Sequence, residues 1–201
     1  MGGGRRFLFV AVLVVMVSGE SGCGKTTLCH RVAALARERG LTVAGVITSP
    51  CLPGAGVTTR DVEDVRTGER RPLAAFYGAA GEGSQVAAPG GEACGPRVGE
   101  WEFHAEGLAW GTRLLRGALP CDLLIIDELG PLELLRGEGW TAGIDLLQAG
   151  GYQLALVAVR PALLTNLQER LAGVPLLTLA LTPANREALA GQIMALVGGS
   201  P

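Results

Sequence analysis

The sequence predicts an α/β domain of three layers, with a mainly parallel sheet held between helices. Three observations carry that expectation. Phe7–Val17, Leu123–Ile126 and Tyr152–Val159 are nearly continuous apolar runs, as strands buried on both faces require. Segments of helical character separate such runs, the pattern of right-handed β-α-β crossovers. The chain has 201 residues, 48% of them hydrophobic and 18% charged. That is one domain with an elaboration, large enough to bury well over half its unfolded surface without staples.

The elements follow in order. Phe7–Val17 reads as the first strand, although Arg5-Arg6 ahead of it gives the outline of a secretory leader. The apolar run is too short to span a bilayer as a helix. No small-residue cleavage site follows it, and Ser18-Gly19-Glu20-Ser21-Gly22 comes instead. Lys25–Arg39 is a helix ending at Gly40, and Leu41–Thr48 is the second strand. Val57–Arg66 and Glu69–Ala75 flank Thr67-Gly68, which suggests an antiparallel hairpin. Gly78–Pro96 is rich in Gly, Ala and Glu and reads as a mobile loop. Val98–Phe103 alternates like an edge strand, so residues 57–103 form an insertion within a single domain spanning 1–201. His104–Gly117 is helical, and Pro161–Leu171 opens with a proline suited to a first helical turn. Leu176–Leu181 is a strand and Ala184–Val197 a closing helix. No internal repeat is visible.

Composition narrows the function. There are 19 acidic and 17 basic residues, a net charge of −2, which argues against a nucleic-acid partner. No stretch reads as a membrane span. The five cysteines (Cys23, Cys29, Cys51, Cys94, Cys121) form no C-x-x-C pair, and His30 and His104 have no metal-ligand spacing to them. A reduced, cytoplasmic protein with incidental thiols is the reading. The sequence does not set the oligomeric state, and a monomer is compatible with it.

Gly19-Glu20-Ser21-Gly22-Cys23-Gly24-Lys25-Thr26 fits G-x-x-x-x-G-K-[ST], followed by Thr27, and lies between a strand and a helix. Glycines let the backbone fold into a nest whose N–H groups face phosphate oxygens, and the helix N-terminus adds its dipole. Lys25 brings a point charge to the β- and γ-phosphates, and Thr26 a hydroxyl to Mg²⁺. In a chain this rich in glycine the motif arises by chance in about one case in five hundred. Lys25 is also the only lysine, against 16 arginines, at the one position that wants a compact ammonium.

Leu123-Leu124-Ile125-Ile126-Asp127-Glu128 supplies an apolar strand ending in acids, at the edge where open α/β sheets bind ligands. Asp127 is the candidate Mg²⁺ ligand with Thr26, and Glu128 the candidate base that orients and deprotonates water. Arg160, at the end of the next strand, is a candidate for stabilising transition-state charge, or a solvated loop arginine. Asn185-Arg186 follows the last strand, where a base could sit, unless Thr182 and Asn185 cap the last helix. Glu133 reads as a first-turn acid, His30 as a half-buried surface residue, and Trp101, Trp110 and Trp140 as core with nothing basic interleaved.

These residues resemble the nucleoside-triphosphate phosphohydrolases of thermophiles and the cancer-related nucleoside-triphosphatase of animals, which are P-loop NTPases. The likeness runs through Gly19–Thr26, Thr67-Gly68-Glu69, Pro72-Leu73-Ala74, Arg97-Val98-Gly99-Glu100-Trp101 and Asn185-Arg186. Its most specific stretch is Asp127-Glu128-Leu129-Gly130-Pro131-Leu132-Glu133-Leu134, similar to the family's D-E-I-G-x-M-E-L. Gly130 joins the candidate nucleotide-binding residues on that ground. Ser49–Gly56 departs from the family pattern. The resemblance implies Mg²⁺-dependent hydrolysis of several NTPs to NDP and phosphate with loose base selectivity. It also implies a RecA-like order, with Tyr152–Val159 between the phosphate-loop strand and the Asp127 strand. Two alternatives keep the nucleotide: a small nucleoside or nucleotide kinase, or a nucleotide-gated interaction module with little turnover.

Overall fold

A computed structural model describes residues 12–51, 59–76 and 94–197. They form a nine-stranded mixed sheet in the order β5-β6-β4-β3-β2-β7-β8-β1-β9. The strands are β1 (Leu13–Ser18), β2 (Val43–Cys51), β3 (Thr59–Asp64), β4 (Arg70–Phe76), β5 (Cys94–Val98), β6 (Trp101–His104), β7 (Leu123–Asp127), β8 (Leu154–Val159) and β9 (Leu176–Ala180). The helices are α1 (Lys25–Glu38), α2 (Ala105–Arg116), α3 (Pro131–Leu134), α4 (Thr141–Ala149), α5 (Leu164–Arg170) and α6 (Arg186–Leu196).

Strands β2, β7, β8, β1 and β9 run parallel. β8 lies between β1 and β7, the RecA-like order that the resemblance implied. The antiparallel half is added through β2, which pairs parallel with β7 on one side and antiparallel with β3 on the other.

Side-chain alternation splits the apolar residues into two cores. Val15 and Val17 of β1, with Leu123 and Ile125 of β7, pack on α1 and α6. Val14 and Met16, with Leu124 and Ile126, face the α2, α4 and α5 side. Both faces of the parallel strands are thus covered, which is why β1, β7 and β8 carry such apolar sequences.

The structure corrects several boundaries. The first strand begins at Leu13; Phe7–Ala11 lie outside the described residues. The second strand continues through Ser49-Pro50 to Cys51, because β3 offers it an antiparallel partner that far. Most of the expected loop Gly78–Pro96 lies outside the described residues, but its end, Cys94–Pro96, belongs to strand β5. The single edge strand expected at Val98–Phe103 is instead the end of β5 at Val98, a turn at Gly99-Glu100 and most of β6, and the two strands pair with each other. Pro96 is tolerated because β5 is the sheet's outer strand, where a missing N–H breaks no ladder. Pro161–Leu171 is a 3-10 turn at Pro161–Leu163 leading into α5. Helix α3 was marked in the sequence only by the first-turn acid Glu133, and helix α4 had no counterpart in the sequence reading.

Candidate active site

β1 ends at Ser18 and α1 begins at Lys25, so Gly19–Gly24 must reverse the chain within six residues. Gly24 does this with φ of +100°, a conformation costly for any residue with a Cβ. A Cβ there would also meet the Arg186 guanidinium at 2.7 Å. Glu20, Ser21 and Gly22 are exposed on the loop's crest, and Thr27 is exposed on α1, whereas Gly19 and Cys23 are buried. Lys25 is buried, and its Nζ donates to the carbonyls of Gly19 at 2.6 Å and Glu20 at 3.0 Å. The ammonium is therefore held against the loop it closes, inside the expected phosphate cradle.

Asp127 ends β7 opposite Ile47 of β2 and is 2% exposed. Burial pushes its carboxyl up to about 7, helped by the charge of Glu128. Hydrogen bonding from the Thr26 side chain and the Thr48 backbone, and the Lys25 charge, pull it back. The Thr26 hydroxyl also donates to the Thr48 carbonyl at 3.3 Å. Two segments far apart in sequence, Lys25-Thr26 and Asp127, thus meet at the same sheet edge. Thr48 was missed by the sequence reading. It acts through its main chain, so no residue-type signal marked it; only its place at the end of β2, beside β7, could have done so.

Asp127 Oδ2 is buried and has no hydrogen-bond partner. An oxygen so placed next to a threonine hydroxyl, facing a phosphate loop, fits a hard divalent cation such as Mg²⁺. No group of three His, Cys, Asp or Glu suited to a metal occurs among the described residues. A magnesium site needs none, because phosphate oxygens and water complete its shell.

Glu128 follows Asp127 but faces the other layer, lining a cavity with Trp140, Leu73 and Leu108. Arg160, just after β8, donates from Nε to Glu128 Oε1 at 2.6 Å. The candidate base and the candidate arginine are thus ion-paired at the parallel sheet's C-terminal edge.

Other candidates divide. Gly130 donates its N–H to Glu133 Oε2 at 3.0 Å, and Trp140 N–H donates to Glu133 Oε1 at 3.0 Å. Glu133 is therefore a buried helix-start acid, as expected, with its carboxyl pushed up by burial. Asn185 is spent on the backbone: its Oδ1 accepts from Thr182 N–H at 2.8 Å and its Nδ2 donates to Ala180 at 2.9 Å. Its side chain does not cap α6. Arg186 lies against Gly24, and its Nε is buried without a hydrogen-bond partner. His30 is half-exposed, with Nε2 3.2 Å from the Ser49 hydroxyl and Nδ1 3.9 Å from Glu63. Trp110 and Trp140 are core, but Trp101 is only partly buried, and Arg60 lies 4.3 Å over its ring. Arg71 stands similarly 4.7 Å over Trp110. The expectation that nothing basic is interleaved with the tryptophans is corrected by these two contacts, one between strands β3 and β6 and one between strand β4 and helix α2. Cys23, Cys29 and Cys121 are free thiols, and no helix among the described residues is long and apolar enough to cross a membrane.

Comparison with known proteins bears on the family and the fold. Over 148 residues the chain is 28% identical to the nucleoside-triphosphatase THEP1 of Methanosarcina acetivorans, covering 73% of this chain and 76% of that protein. The solution structure of a human cancer-related nucleoside triphosphatase superposes with a TM-score of 0.67 at 25% identity, covering 93% of this chain and 98% of that one. The crystal structure of THEP1 from Aquifex aeolicus shares the fold, with a TM-score of 0.62, 17% identity and coverage of 92% and 99%. A family model described as NTPase matches residues 14–194, from the first core strand to the last helix and across every part of the site, so the chain belongs to the NTPase family.

Proposed function

We propose that the chain is a Mg²⁺-dependent nucleoside triphosphatase, releasing NDP and phosphate from several NTPs with low base selectivity. The observation that supports it most is the convergence of Lys25, Thr26 and Asp127 at one sheet edge, with an unpartnered carboxylate oxygen between loop and strand. The names of its relatives point the same way.

The polyphosphate enters the Gly19–Gly24 cradle, and Lys25, already held by two loop carbonyls, meets it with a fixed charge. Thr26 and Asp127 are the residues that would hold Mg²⁺, which would supply neutralisation of the polyphosphate's charge. Glu128 orients the attacking water and takes its proton as the new O–P bond forms and the bridging bond to the NDP breaks. Arg160, hydrogen-bonded to Glu128 at 2.6 Å, fixes that carboxylate and faces the charge that develops on the transferring phosphoryl group. Low base selectivity is what the resemblance to the nucleoside-triphosphatases implies; Asn185, the candidate for meeting the base, holds Thr182 and Ala180 with one acceptor and one donor position and keeps one of each. A cytoplasmic location is supported by the free thiols of Cys23, Cys29 and Cys121.

The test is phosphate release from ATP, GTP, CTP and UTP, with and without Mg²⁺, alongside Glu128→Gln. Release from several NTPs that needs Mg²⁺ and fails in Glu128→Gln is the expected result. Near-normal turnover by Glu128→Gln removes that residue's role as base, and no release from any NTP removes the hydrolase reading.

A further inference from the structure

Beside the candidate active site lies a cavity of about 440 Å³, bounded by Thr48, Glu128, Arg160, Arg60, Trp101 and Trp140. Its volume falls in the range of small-molecule sites. Its position is specific: Thr48 is the residue that contacts both Thr26 and Asp127, and the ion-paired Glu128 and Arg160 form part of its wall. Water as the attacking group requires none of what lies farther in. There, Trp101 presents a ring braced edge-on by Phe76 at 5.3 Å, with the Arg60 guanidinium over it. Among the described residues Arg60 has no carboxylate within ion-pair distance, so its charge is available to an anion. An aromatic shelf and a cation, set next to a phosphoryl-transfer centre, recognise an aromatic ring carrying a phosphate.

We propose that this cavity seats a nucleoside monophosphate as phosphoryl acceptor, giving the protein a transferase activity beside hydrolysis. The proposal rests on the nucleoside-triphosphatase reading of the same phosphate loop. An anionic oxygen of the monophosphate attacks the γ-phosphorus of the NTP. Its new O–P bond forms as the bridging O–P bond breaks, the electron pair leaves on the NDP, and the products are two nucleoside diphosphates. No proton moves, so this route needs no base, whereas attack by water does. Arg60 and Trp101 hold the acceptor, and Arg160 lies where the transferred group passes.

The experiment uses the full chain with Mg²⁺ and γ-labelled ATP, adding AMP, GMP, CMP or UMP, and separates labelled diphosphate from labelled phosphate. Tryptophan fluorescence, titrated with each monophosphate alone, reads the cavity directly. The expected result is labelled diphosphate from at least one acceptor and a fluorescence change with the same acceptor. Arg60→Ala, and independently Trp101→Leu, raise that acceptor's KM about tenfold. Glu128→Gln lowers phosphate release far more than transfer, so the partition shifts toward labelled diphosphate. Released phosphate with no labelled diphosphate overturns the acceptor site and leaves the hydrolase reading standing; neither product overturns both. Transfer by both cavity variants with unchanged acceptor KM overturns the cavity as the acceptor's seat.

Discussion

The guanidinium of Arg160 donates through Nε to Oε1 of Glu128 at 2.6 Å, joining the ends of two neighbouring parallel strands. Arg160 is about half exposed and Glu128 mostly covered, so the pair is a wall of the site rather than part of the core. Glu128→Gln is expected to keep nucleotide affinity and lose phosphate release by about 10²- to 10⁴-fold, the worth of a positioned base. Arg160→Ala should lower the rate as well. In a double-mutant cycle the two losses should fall short of additive, because each residue acts partly through the other. Phosphate release measured on the four proteins under saturating NTP checks this.

Lys25 donates to two carbonyls of the loop that precedes it, those of Gly19 and Glu20. Lys25→Ala is expected to lower turnover by at least about 10²-fold, the scale for removing a fixed charge donor. Lys25→Arg should not restore it, because a buried site shaped for an ammonium has no room for a planar fork. Equilibrium binding of a fluorescent NTP analogue, with turnover alongside, gives the comparison.

Gly45 sits in β2 with φ of +119°, and a Cβ there would lie 1.9 Å from the Ile125 carbonyl oxygen of β7. The neighbouring atom is backbone, so no side chain can yield. Gly45→Ala is expected to destabilise the fold by about 3 kcal/mol or more. It should also weaken phosphate release in whatever fraction remains folded, since β2 carries Thr48 to Asp127. Urea denaturation followed by far-ultraviolet circular dichroism reads the first effect.

Burial lifts the Asp127 carboxyl from its ordinary 3.8 to about 7. The folded chain therefore keeps a proton that the unfolded chain gives up across that interval. Stability from this group is present below about pH 4 and is lost as pH rises through about 7. At roughly 1.4 kcal/mol per unit of displacement, the change is a few kcal/mol. In EDTA the urea midpoint should be higher at pH 5 than at pH 8. Asp127→Asn should flatten that difference, and Mg²⁺ with nucleotide should raise the midpoint at pH 8.

Much of this was legible in the sequence because backbone chemistry leaves residue-type marks. Val14–Val17 and Leu123–Ile126 had to be apolar on both faces, and the Gly24-Lys25-Thr26 run had to combine a left-handed turn with a charge and a hydroxyl. Other parts leave no such mark. α4, Thr141–Ala149, is short and starts after Trp140 without a polar capping side chain, so nothing announced it. β5 holds Gly95 and Pro96, both disfavoured in strands, and reads as loop until its outer position is known. The Arg60–Trp101 contact spans from β3 to β6 across β4. It forms because Ala74, paired with both Arg60 and Phe103, leaves room above the strand between them. Residues so distant in sequence become neighbours only through strand order.

β2 belongs to both halves of the sheet at once, antiparallel to the strand that carries Arg60 and parallel to the strand that ends in Asp127. Near its end Thr48 meets Thr26 and Asp127, so one backbone segment both seats the hairpin and touches the two candidate metal-holding groups.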